Sequence, residues 1–147
     1  MSRAEHTISI RRPAADVFAF VTDPDKTLLW QPSVIEVVRE DAGSLTVGSR
    51  FTEVRRLLGT SLRSTFEVTE LSAPHRSGVE VVEGPVAARA SYSLRDTPEG
   101  TELRLAYQMD AAGFLRVAEQ LATRVVVREF EASLGHLKDV LESRVGA

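Results

Sequence analysis

The stretch GFLRVAEQLATRVVVREFEASLGHLKDVLESRV, residues 113–145, decides how the rest of the chain is read. Within it Phe114, Ala118, Leu121, Val125, Phe130, Leu134, Leu137, Leu141 and Val145 recur at spacings of three to five, and Arg116, Glu119, Arg124, Arg128, Glu131, Lys138 and Glu142 fall between them. That is the period of one amphipathic helix. No proline interrupts it, Gly135 is its weak point, and at ~1.5 Å per residue it runs roughly 45 Å, more than the width of a small domain. Such a helix must lie across something broad.

The upstream sequence supplies the broad partner. From Val34 to Met109 short alternating stretches separated by turn residues predict an antiparallel sheet with one apolar face. Ahead of them, Arg3 to Arg11 alternates around Ile8 and Ile10 as a first strand that Arg12-Pro13 ends, and Ala14 to Val21 carries Val17, Phe18 and Val21 at helical spacing. Thr22-Asp23-Pro24-Asp25 stops that helix, a second short one runs through Leu28-Leu29, and Trp30-Gln31-Pro32 closes the segment.

The remaining strands are predicted at Val34 to Glu40, Arg50 to Leu58, Ser61 to Leu71, Gly78 to Glu83, Val86 to Arg95 and Thr101 to Asp110. A loop of Gly59-Thr60 pairs Leu57 with Leu62, Arg55 with Ser64, Glu53 with Phe66 and Phe51 with Val68. The apolar members then share one face, and Glu53 and Arg55 lie on it with them; a slip of one residue would place Arg56 inside instead. About Gly84-Pro85, Glu80 falls opposite Arg89 outside, with Val79, Val81, Ala88, Ala90, Tyr92 and Leu94 inside. In the next pairing Arg95 meets Glu102 outside, while Leu105, Tyr107 and Met109 point inward.

The totals bound what this architecture can do. At 147 residues and 43% hydrophobic the chain can bury one real core, and residues 1–147 read as a single domain. Eighteen Lys plus Arg against 21 Asp plus Glu, net charge −3 and without like-charge blocks, offer no footprint for nucleic acid or an anionic membrane. Cysteine is absent, which excludes disulfides, thiolate nucleophiles and sulfur-ligated zinc. The start MSRAEHTISI lacks the basic and apolar runs of a signal peptide, and no window is long and apolar enough for membrane insertion, so the expected location is cytoplasmic.

One strand, two short helices, six more strands and one long helix make an α+β helix-grip order: a seven-stranded antiparallel sheet wrapped around a long C-terminal helix, with two short helices between strands 1 and 2. Several motifs fall in place along this order. They are Ile8-Ser9-Ile10, the Arg12-Pro13-Ala14-Ala15-Asp16-Val17-Phe18 segment, Asp23-Pro24, Trp30-Gln31-Pro32, Val47-Gly48-Ser49-Arg50-Phe51, the strand end Glu70 to Arg76, Gly84-Pro85, Gly100-Thr101-Glu102-Leu103 and the terminal Leu137 to Glu142. On these the chain resembles the SRPBCC or START-like superfamily, in its polyketide cyclase/dehydrase-like branch. The resemblance implies a cavity between sheet and helix, which different members use for lipids, sterols, quinones, plant hormones, aromatic polyketides or aromatic-ring substrates. It implies no invariant catalytic set.

Glu53 and Arg55 are the sharpest site candidates, because a charge on the covered face is costly unless it is paired. Arg55 can bind a carboxylate, enolate or phenolate, and Glu53 can act as general base. The expected ligand contacts are Trp30 at the cavity mouth, Phe51 and Phe66 on the first hairpin, Tyr92 and Tyr107 as apolar bodies with hydroxyl tips, and Leu121 and Val125 on the long helix. Trp30 has a competing role as a plug that anchors its loop. Ala88 and Ala90, small side chains opposite Tyr107 and Met109, leave volume unfilled. His6, His75 and His136 are scattered as solvated residues and form no metal site, and neither a nucleophile triad nor a phosphate or dinucleotide loop is present, so no cofactor is expected.

Three functions fit. The first is binding of a small hydrophobic or aromatic molecule in the cavity; the second is a cofactor-independent polyketide cyclase or dehydratase that uses Glu53 and Arg55 as base and oxyanion stabiliser. The third is an interaction protein with a vestigial cavity, monomer or homodimer, against which the alternating charge on the long helix argues.

Overall fold

A computed structural model describes residues 2–57, 59–110 and 119–143, with the side chains of residues 2 and 119–123 outside the description. Seven strands form one antiparallel sheet in the order β1-β7-β6-β5-β4-β3-β2, and the strands are β1 (Ser2–Ile10), β2 (Val34–Arg39), β3 (Arg50–Leu57), β4 (Thr60–Ser72), β5 (Arg76–Glu83), β6 (Ala87–Thr97) and β7 (Gly100–Asp110). Between β1 and β2 come α1 (Ala14–Val21), a 3-10 turn at Pro24–Lys26 and α2 (Thr27–Trp30), and α3 (Glu119–Ser143) closes the order. This is the predicted helix-grip architecture. The predicted helical residues 113–118 and 144–145, and the strand end at residue 58, lie outside the described residues.

Period-two alternation sets the sheet's inner face. Along β7 Leu103 and Leu105 are fully buried and Tyr107 is buried, while Arg104 between them is exposed. α3 lays Leu134, Leu137 and Leu141 onto a core built with Ile10, Val17 and Leu103, each leucine worth roughly 2 kcal/mol of burial. Polar clasps pin the same end of the helix to β1: Lys138 Nζ donates to the Ser9 carbonyl at 2.6 Å and to Glu142 at 2.8 Å, and Glu142 Oε2 accepts from the Arg11 backbone N–H at 2.9 Å. Gly100 is required at the β6–β7 turn, since its φ is +152° and a Cβ there would collide with the Ile10 carbonyl oxygen. Thr101 beside it, 1% exposed, donates to the Arg12 carbonyl at 2.8 Å.

Two of the three predicted hairpin registers hold. Glu80 pairs with Arg89, and Arg95 pairs with Glu102. The β3–β4 hairpin differs: Leu57 pairs with Thr60, Arg55 with Leu62, Glu53 with Ser64 and Phe51 with Phe66. Gly59, at φ +75°, therefore takes the second of two loop positions rather than the first. Because the displacement is two residues and the side-chain period is two, every residue keeps its face. Glu53 is buried and Arg56 exposed.

Candidate functional site

Between the inner face and α3 the molecule is hollow. Two chambers, of about 100 and about 110 Å³, share Glu53, Arg55, Phe66, Ala90 and Phe130 in their walls. The first extends toward the β3–β4 and β5–β6 hairpin ends, past Leu57, Leu62, Val86 and Ala88, and reaches Val126 on α3. The second extends toward the short helices, past Phe51, Val68, Tyr92 and Leu105 to Val21 and Gln31.

The hollow follows from side-chain size. Ala90 pairs with Tyr107 and Ala88 with Met109, so two methyl groups stand where the neighbouring pair on the same strands, Leu94 and Leu103, fills the space. Phe51 and Phe66 stack across the β3–β4 ladder with centroids 5.4 Å apart. The Phe130 ring reaches down from α3 to lie 4.6 Å from the Tyr107 ring, with the Arg55 guanidinium 5.4 Å over it.

A polar island built on a nearly buried ion pair stands in this mostly apolar wall. Arg55 donates from Nε and Nη2 to Glu53 Oε1 at 3.3 and 3.1 Å, from Nη2 to Gln31 Oε1 at 2.5 Å and from Nη1 to Ser33 Oγ at 3.0 Å. Both charged side chains are nearly buried, and their pairing meets the desolvation cost that an isolated charge would carry. The island also ties the residues just after α2 to the middle of β3. Burial pushes the Tyr92 phenol well above its ordinary range, with Arg55 partly offsetting this and Glu53 adding to it. Tyr107 is pushed up to about 12, by burial first and then by Glu131. Both hydroxyls are therefore protonated donors at neutral pH.

Most of the expected contact residues come together here. Glu53, Arg55, Phe51, Phe66, Ala88, Ala90, Tyr92 and Tyr107 all line one chamber or both. Trp30 lines neither: it is 1% exposed within the packed core, the plug rather than the lid, and its indole N–H has no partner among the described residues. Val125 is half-buried beside the core, and its neighbour Val126, which the series of apolar helix positions passed over, supplies the chamber wall. Leu121 lies outside the described side chains. Gln31 and Ser33 were missed as partners of Arg55, since no local pattern links a post-helix loop to a strand more than twenty residues away.

His6 corrects the solvated reading given to all three histidines. It is half-buried, stacks on Tyr107 at 5.8 Å, and its Nε2 lies 3.5 Å from the tyrosine hydroxyl. His75 and His136 are exposed, and His75 meets Asp96 at 3.2 Å. Among the described residues no three His, Asp or Glu side chains gather to hold a metal, and no helix is long and apolar enough to cross a membrane.

A curled antiparallel sheet gripping a helix around an apolar cavity defines the SRPBCC class of fold. The chain belongs to the family described as polyketide cyclase / dehydrase and lipid transport, whose model matches residues 1–142. Among solved structures it is similar to TTHA0849 from Thermus thermophilus, at 18% identity and a TM-score of 0.79 over 98% of each chain. It is similar also to the di-domain ARO/CYC StfQ from the steffimycin biosynthetic pathway, at 16% identity and a TM-score of 0.78, over 99% of this chain and 52% of that one. Ara h 8.0201 matches at 10% identity and a TM-score of 0.73, over 97% of this chain and 98% of that one. At these identities the likeness is one of fold. No curated protein sequence matches the chain.

Proposed function

We propose that this protein binds a small hydrophobic or aromatic molecule between sheet and helix. The observation that carries the reading is the nearly buried Glu53–Arg55 ion pair, with the Tyr92 phenol beside it, in a cavity whose walls are mostly aliphatic and aromatic. Apolar walls supply affinity and a few placed polar groups supply orientation, which is the usual composition of a small-molecule site. The ion pair is internally satisfied, so it offers directed hydrogen bonds rather than a net charge, and a neutral oxygen-bearing ligand suits it better than an anion. Native mass spectrometry of freshly purified protein, with titration of an environment-sensitive hydrophobic fluorophore, tests this. A stoichiometric adduct or saturable probe uptake is expected; neither adduct nor uptake overturns the reading.

A second reading is cofactor-independent cyclisation or dehydration of an aromatic or poly-keto substrate, in keeping with part of the family's description and with the ARO/CYC name of StfQ. It is favoured by the placing of a carboxylate, Glu53, inside the cavity, with Arg55 or a tyrosine positioned for a developing enolate oxygen. Under it Glu53→Gln and Arg55→Met lose turnover while remaining folded. Undiminished activity in both variants removes it.

A further inference from the structure

The division of the cavity has a regular geometry. On β4 Leu62 and Ser64 face the first chamber, Val68 the second, and Phe66 between them both. β6 repeats the order with Ala88, Tyr92 and the shared Ala90. β3 does the same, with Leu57 and Phe51 at the ends and Glu53 and Arg55 in the middle, and from the opposite wall Phe130 meets them. The shared residues thus form one line across the sheet plus one ring from the helix. The cavity is a dumbbell, and its polar island sits at the waist rather than at either end.

Size makes the waist matter. An apolar cavity of roughly 150 Å³ accepts one benzene, and ligand pockets usually exceed ~300 Å³. Each chamber alone, at about 100 and about 110 Å³, falls below the first figure, so a ligand of more than a few atoms that is held inside the molecule spans both. Among the described residues that both chambers share, Phe130 alone comes from the helix, so a ligand that spans them lies against its ring. At the waist Arg55 has one donor to offer: among the described residues its hydrogen bonds use four of the five guanidinium N–H groups, leaving one on Nη1.

The geometry points to a two-lobed ligand, with an apolar group at each end and a hydrogen-bond-accepting oxygen at its middle, for which Phe130 is the displaceable partition. This rests on the binding reading above and narrows it. The ring of Phe130 swings from between the chambers, the two lobes occupy them, and the central oxygen accepts from Arg55 at the waist. A ligand with its oxygen at one end would give up the charge-assisted hydrogen bond from Arg55, which is stronger than the neutral donors that Ser64 and Gln108 offer in the first chamber or Thr22 and Tyr92 in the second.

The test uses the full chain with three probes measured by isothermal titration: benzophenone, with a carbonyl between two rings; diphenylmethane, the same shape without the oxygen; and 2-naphthol, with a terminal oxygen. Benzophenone is expected to bind at least tenfold more tightly than either of the others. Phe130→Trp, which enlarges the partition, should weaken benzophenone tenfold or more, and Phe130→Leu should tighten it severalfold; circular dichroism and melting temperature establish that each variant is folded. Should Phe130→Trp not fold, Phe130→Leu alone reads the partition. Equal affinity for benzophenone and diphenylmethane, a preference for 2-naphthol, or indifference to the Phe130 variants overturns the inference while the binding reading stands. If none of the three probes nor the hydrophobic fluorophore binds, the binding reading itself has failed, and this inference with it.

Discussion

The two halves of this molecule use the same sheet and the same helix, yet one half is solid and the other hollow. At the solid end Leu134, Leu137 and Leu141 of α3 meet Ile10, Val17, Leu94 and Leu103, all 5% exposed or less. At the hollow end the helix offers Val126 and Phe130, and the strands opposite offer Ala88 and Ala90. The alternation is identical in both; only residue volume changes. A cavity in this fold is therefore made by substituting small side chains at positions whose orientation the sheet already dictates, while the filled end carries the stability that a hollow end forgoes.

The contrast is most exposed to attack by truncation. Leu137→Ala, at 0% exposure in the filled half, should cost about 4 kcal/mol in urea denaturation, because both transfer and cavity terms act at a site with no slack. If Leu137→Ala costs less than about 1 kcal/mol, the filled half is not the anchor. Next in size is Arg55→Met, expected at about 3 kcal/mol because it strands Glu53 without its partner in a nearly dry wall. Adding Glu53→Gln to that variant should recover much of the loss, and a purely additive double variant would show that the pair is not coupled.

Insertion sharpens the same comparison with a smaller effect. Ala14→Leu on α1, in the packed half, should cost about 2 kcal/mol through overpacking. Ala88→Leu, facing the first chamber, should change stability by less than about 1 kcal/mol and reduce uptake of a hydrophobic fluorophore. Equal costs at the two positions would mean that the chamber closes up in solution.

The pattern of apolar positions made the fold legible because face and period are properties of each residue alone. The β5–β6 and β6–β7 registers were legible too, since opposite charges fix them: Glu80 with Arg89, and Arg95 with Glu102. The β3–β4 register was not, because Gly59 suits either position of a two-residue loop and nothing across the ladder distinguishes a shift of two. That error left the site intact, since Glu53 and Arg55 stay inside under either register. What stayed hidden was whatever joins distant segments: Gln31 and Ser33 on the Arg55 guanidinium, and His6 against Tyr107. Trp30 kept two readings for the opposite reason, a bulky aromatic near the expected mouth being able to plug or to cover, and its burial in the core is that of a plug.

The smallest effect tests how the solid end is fastened. Lys138 first, then the Arg11 backbone N–H, hold the Glu142 carboxyl at about 2, below its ordinary 4.5. A carboxyl whose pKa is lower folded than unfolded binds fewer protons in the native state, so its contribution is complete above about 4.5 and disappears as pH falls toward about 2. Lys138 and Arg11 are substantially exposed, and solvent screening holds the contribution to about 1 kcal/mol. Glu142→Gln should thus lower the melting temperature by a few degrees at pH 7, with the gap to wild type closing as pH falls toward about 2. A gap that persists unchanged at that pH would assign the loss to packing at the end of α3 rather than to the carboxylate that ties it to β1.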